Sequence, residues 1–277
     1  MNKTELKLQG TDNFFIREAY KVLRSNIQFC GQEVRTIAIT SCHENEGKTT
    51  IALNLGKSFA ELDKRVLVVD ADMRKSVIVG RNTTSQDVKG LSELLTGLAN
   101  YEDCIYNTQY PMLDLIFSGK YPPNPVELLS SEYFVKFLAE SRESYDYVII
   151  DLPPLGAVID AAIVAPLCDG VALVISDDNV RYPMAQEVIE QLRTSKSKIL
   201  GVIRNDAKEK KRGYYYRRGY GGYYGRYYSK YGRYYGKYGH RYKAYYSGAD
   251  SEDAKNQEPA QDSKKDNNTK KKFFFGK

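Results

Sequence analysis

Short runs dominated by Val, Ile and Leu recur along the first three quarters of the chain, at residues 36–40, 65–69, 113–117, 147–150, 171–175 and 199–203. Between the first two, residues 49–62 place Ile51, Leu55, Phe59 and Leu62 on one side of a 3.6-residue repeat. Apolar strands without polar alternation, separated by helical segments, predict a mostly parallel sheet covered by helices on both faces. The expected architecture is one α/β domain over residues 14–206, preceded by a flexible segment 1–13. The greasiest stretch, 157–176, is interrupted by Asp160, Pro166, Asp169 and Gly170. It therefore predicts a short helix, a turn and a buried strand, not a bilayer span. The polar N-terminus carries no apolar core of the secretory type.

The pattern stops near Asp206. Residues 214–246 hold 15 of the 24 tyrosines, interleaved with Gly, Arg and Lys, and no aliphatic side chain larger than Ala. Such a segment cannot bury a core, and residues 207–246 are expected to form a disordered Tyr/Gly/Arg-rich cluster. Residues 247–277 form a second polar tail. Charge divides along the same line. Residues 1–207 hold 22 Lys and Arg against 28 Asp and Glu, a net of −6, whereas residues 208–246 hold 12 against 1, a net of +11. The overall +6 describes neither part. Two distant His and four Cys without a close pair argue against a zinc centre and a disulfide framework, and fit a reducing cytoplasm.

Three motifs carry candidate chemistry. Residues 41–50 (SCHENEGKTT) follow a strand and open a helix, the context of a phosphate-binding loop. Glu46, Gly47, Lys48, Thr49 and Thr50 are the ATP-binding candidates: Gly47 for close backbone approach, Lys48 for the β/γ-phosphates, Thr49 for Mg²⁺. Cys42 stands where the first glycine of such a loop is expected. Asp70 and Asp72 leave the end of a buried strand, where open α/β sheets bind ligands. They suit Mg²⁺ binding or proton acceptance from an attacking hydroxyl. Asp151 ends the apolar run 147–150 and suits a metal or its water.

Taken in this order, the motifs resemble the bacterial tyrosine kinases of capsular and exopolysaccharide synthesis. Asp70, Asp72 and Arg74 match the family's Walker A′ pattern, and residues 147–154 (YVIIDLPP) its Walker B stretch. Gly119 with residues 122–129 matches its intervening loop and helix. The resemblance implies a P-loop NTPase fold of the MinD/ParA type, ATP and Mg²⁺ as cofactors, and catalysis by Lys48, Asp70 and Asp72. The metal would sit on Thr49, Asp72 and Asp151. Asp70 is the expected acceptor of the tyrosine proton, with exchange of roles between Asp70 and Asp72 left open. Glu18, Lys21 and Arg24 resemble the family's Glu-x-x-Arg-x-x-Arg helix, which packs subunits into a ring; Lys21 stands for the first Arg and lacks its planar fork.

The same resemblance makes the tail the phosphoacceptor cluster: Tyr214, Tyr215, Tyr216, Tyr220, Tyr223, Tyr224, Tyr227, Tyr228, Tyr231, Tyr234, Tyr235, Tyr238, Tyr242, Tyr245 and Tyr246. It also implies a separate membrane activator of the polysaccharide co-polymerase type, a cognate tyrosine phosphatase, and a place at the inner face of the plasma membrane. No nucleic-acid partner is expected. Two alternatives share some of these residues: an ATP-switched positioning ATPase of the MinD/ParA type, and a nucleotide-gated scaffold whose Arg/Tyr tail binds RNA. The first carries an additional early Lys in the phosphate loop, which residues 41–46 lack.

Overall fold

The computed structural model describes residues 2–6, 8, 13–78, 88–176 and 180–205. Its centre is an eight-stranded sheet of β1 (Asn2–Lys3), β2 (Thr36–Ser41), β3 (Val66–Asp70), β4 (Ile105–Asn107), β5 (Leu113–Ile116), β6 (Tyr147–Asp151), β7 (Gly170–Ser176) and β8 (Ile199–Asn205), in the order β1-β4-β5-β3-β6-β2-β7-β8. Six strands from β5 to β8 run parallel; β4 pairs antiparallel with β5, and β1 follows β4. The helices are α1 (Phe14–Phe29), α2 (Lys48–Ala60), α3 (Leu91–Leu95), α4 (Tyr101–Cys104), α5 (Pro125–Leu129), α6 (Glu132–Ser144), α7 (Asp160–Val164) and α8 (Tyr182–Thr194).

The apolar runs of the central strands β2, β3, β6 and β7 are continuous because both of their faces are buried, whereas edge strand β8 is part-exposed. Successive side chains point to opposite faces. Ile37, Ile39, Val66, Val68 and Ile149 pack with Ile51, Leu55 and Phe59 of α2 and Ile27 of α1. Ala38, Leu67, Val69, Val148 and Ile150 pack with Phe134 and Phe137 of α6, Val164 of α7 and Leu192 of α8. Phe59 stacks on Tyr147 at 3.8 Å between ring centroids. The expected sheet and its six long strands are present. The edge pair β1 and β4 is not in the sequence reading, and β1 lies inside the segment expected to be flexible.

Folding brings together what the chain separates. In register, Asp70 of β3 lies opposite Asp151 of β6, beside β2, whose end leads into the phosphate loop. All three candidate motifs thus leave the carboxyl edge of adjacent parallel strands. The tyrosine-rich residues 214–246 lie outside the described residues. No helix among the described residues is long and apolar enough to cross a membrane.

Candidate active site

The phosphate loop turns from β2 into α2 through Gly47, whose φ of +86° is left-handed. A Cβ there would come 2.2 Å from Asn205 Nδ2, and Asn205 donates to the Glu46 carbonyl oxygen at 2.9 Å. Glu46 is buried, and its carboxylate accepts the backbone N–H groups of His43 at 2.7 Å and Ser176 at 3.0 Å. Expected as an ATP-binding residue, Glu46 has its side chain committed inward. It shapes the loop, and only its backbone remains to face a phosphate. Asn205, with no motif to announce it, ties the last strand to the same loop.

Lys48 and Thr49 open α2, where unpaired N–H groups and the helix dipole favour an anion. Thr49 Oγ1 donates to Asp151 Oδ2 at 2.5 Å. The second oxygen, Asp151 Oδ1, is buried without a partner among the described residues. Burial pushes the Asp151 carboxyl up to about 7, while the Lys48 ammonium and the Thr49 hydroxyl pull it down. A buried carboxylate oxygen left bare beside a hydroxyl is a cation-ready arrangement.

Asp70 is buried too. Its Oδ2 accepts the Ser76 hydroxyl at 2.5 Å, and its Oδ1 accepts the Asp72 N–H at 3.2 Å. Burial first, then the neighbouring Asp151 carboxylate, push Asp70 well above the usual carboxylate range. Of the A′ pair, Asp72 lines the open cavity and Asp70 lies behind it. Arg74 forks onto Asp160, with Nε to Oδ2 at 2.8 Å and Nη2 to Oδ1 at 2.9 Å. Lys75 and Glu44 form an exposed ion pair at 2.5 Å, joining the A′ loop to the phosphate loop.

These elements frame a cavity of about 890 Å³ lined by Lys48, Thr49, Asp72, Pro153 and Asn205, with Phe15 and Tyr20 of α1 on one wall. Its size and mixed lining suit a nucleotide. Among the described residues no three His, Cys, Asp or Glu side chains converge as a metal cluster. The bare Asp151 Oδ1 suits Mg²⁺, which keeps several waters and takes one or two carboxylates together with substrate phosphates. Cys42, in the loop, is buried, and desolvation raises its thiol to about 11. It is a packing residue and a poor thiolate.

The expected subunit-packing residues divide. Glu18 and Lys21 are exposed and pair with each other at 2.7 Å. Arg24 turns inward instead. Its guanidinium donates to the Ser58 carbonyl oxygen and, at 3.2 Å, to Ser58 Oγ, fastening α1 to α2. The cause is position: Arg24 lies on the face of α1 that carries Ile27 into the core.

Strand, phosphate loop, helix and two strand-end carboxylates define a P-loop nucleotide-binding domain. The AAA domain family matches residues 34–200. MinD from Pyrococcus horikoshii, solved with Mg-ADP, shares the fold (TM-score 0.51, 24% identity, 61% of this chain and 68% of that one). The chain belongs, more narrowly, to the bacterial tyrosine-protein kinases. It is 42% identical over 192 residues to the tyrosine-protein kinase CpsD of Streptococcus agalactiae, covering 69% of this chain and 84% of that protein. The kinase domain of the Escherichia coli tyrosine kinase ETK superposes with a TM-score of 0.65 at 31% identity, over 68% of this chain and 74% of that one.

Proposed function

We propose that this kinase transfers the γ-phosphoryl group of ATP to tyrosines of its own residues 214–246, on a neighbouring copy within an oligomer. Through this cycle it regulates the synthesis and export of a capsular or exopolysaccharide. The observation that carries the reading is the meeting of Lys48, Thr49 and the half-satisfied Asp151 at the mouth of α2, with Asp70 in register beside them. The backbone at the start of α2 and Lys48 receive the phosphates. Thr49, Asp72 and Asp151 would hold Mg²⁺, which when bound neutralises phosphate charge.

The hydroxyl oxygen of the incoming tyrosine bonds to the γ-phosphorus as the bond to the ADP oxygen breaks, and Asp70 takes the phenolic proton. Burial makes Asp70 more basic, as a proton acceptor requires. Ser76 Oγ already supplies a hydroxyl donor to Asp70 Oδ2. Asp72, on the cavity wall, is the alternative acceptor of the pair. Exposed Glu18 and Lys21 are proposed to meet the adjoining copy, and the activator and phosphatase follow from the family resemblance.

The test mixes two variants of the full chain with ATP and Mg²⁺. One is Lys48→Ala, with its tail intact; the other has an intact site and every tail tyrosine replaced by Phe. Phosphotyrosine appearing on the Lys48→Ala chain supports transfer between copies. A Lys48→Ala chain that stays unmodified, while wild type labels itself, confines transfer to one copy.

A further inference from the structure

Asp160 is a carboxylate with no exposed surface, set in an apolar stretch, and both of its oxygens are taken by Arg74. A buried acid with a single partner among the described residues is a costly feature that hydrophobic residues could replace without loss of stability. Its place in the fold gives it another use. Arg74 lies two residues beyond Asp72, on the loop that leaves β3. Asp160 lies nine residues beyond Asp151, on α7 after β6. The intervening segment is itself anchored: the Pro153 carbonyl oxygen accepts Thr40 Oγ1 at 2.8 Å, and Leu155 N–H donates to the Ser41 carbonyl oxygen at 2.9 Å. Before Asp72, the Ala71 N–H donates to the Asp151 carbonyl oxygen at 2.9 Å; beyond Asp72, among the described residues, the Arg74 fork is the tie to that side. The other bonds of the A′ loop are local or lead to exposed Glu44.

We propose that Asp160 and Arg74 are positioning residues: their bidentate pair locks the loop carrying Asp72 to the segment carrying Asp151, and so fixes the spacing of the two carboxylates that receive the divalent cation. The inference rests on the metal reading given above. It also assigns Arg74 away from the phosphates, since its fork is spent on Asp160. Partners that orient metal-binding side chains from behind are worth about ten- to a hundredfold in metal affinity.

The test uses the full chain, ADP, and Mn²⁺ as the probe, with free Mn²⁺ read by electron paramagnetic resonance. Arg74→Lys keeps the charge and loses the fork; Asp160→Asn keeps the shape and loses the charge. Each is expected to weaken Mn²⁺ binding to the ADP complex by about ten- to a hundredfold, with ADP affinity in the absence of metal unchanged. The double variant is expected to be no weaker than the worse single one, because both break the same tie. Should Asp160→Asn not fold, Arg74→Lys decides, since Arg74 is partly exposed. Unchanged Mn²⁺ affinity in Arg74→Lys overturns the proposal, as does a loss of metal-free ADP affinity, which would make Arg74 a phosphate ligand. A wild-type chain that binds ADP but no Mn²⁺ overturns the metal reading and this inference with it; tight wild-type binding with unchanged variants overturns the inference alone.

Discussion

Asp151 answers to two opposing demands. As a cation ligand it must be ionised; as a buried side chain it is pushed from 3.8 up to about 7, and burial moves Asp70 the same way. A group that holds its proton more tightly folded than unfolded stabilises the fold at low pH and loses that contribution as pH rises. For Asp151 the window runs from about pH 4 to about pH 7. Asp151→Asn is therefore expected to raise the melting temperature of the nucleotide-free protein at pH 8 and to change it much less at pH 5. Equal effects at both values would contradict the argument. Asp70→Asn removes the proton acceptor without touching the phosphate loop. Tyrosine phosphorylation should fall by about a hundred- to ten-thousandfold while ADP binding, followed by calorimetry, persists. Gly47→Ala forces a side chain into a left-handed turn at about 1–2 kcal/mol and against Asn205; loss of nucleotide binding is the expected readout.

Elements show where sequence reasoning succeeds. Strands β2, β3, β5, β6, β7 and β8 were legible because each is rich in Val, Ile and Leu, and α2 because one of its faces repeats with helical period. Strands β1 and β4 were not, because two and three residues carry no period. Phosphate loop and carboxylates were legible as motifs at strand ends. Asn205 and Asp160 were not, since each acts through a neighbour distant in sequence, and Ser76 was not, since a serine six residues past Asp70 belongs to no motif. Asp160 left one trace, a charge inside an apolar stretch. Arg24 looked like a surface residue of α1, and only the approach of Ser58 shows it facing inward. Arg24→Ala should thus destabilise the isolated subunit by about 1–3 kcal/mol through lost bonds of a charged donor, read as a lower urea midpoint. Glu18→Ala and Lys21→Ala should leave that midpoint in place and lower the mass of the oligomer in solution.

At the scale of the whole chain, the proposed cycle turns on charge. Residues 1–207 carry −6 and residues 208–246 carry +11, which favours approach of the tail to the acidic domain and to bound phosphate. Each phosphotyrosine adds about −1.5 to −2, so roughly six to seven cancel the tail's charge. In the proposed cycle, filling the cluster reverses the tail's charge and lowers the mass of the oligomer. Glu in place of the tail tyrosines is expected to shift the oligomer to lower mass by light scattering; an unchanged mass would contradict the charge-reversal cycle. The central claim, that the tail is the enzyme's own substrate, is tested most directly by intact and peptide mass spectrometry of the protein from its native cell, beside Lys48→Ala. The account predicts a ladder of phosphates confined to residues 214–246 and absent from the variant. An unmodified tail in both, or a ladder that survives Lys48→Ala, would contradict it.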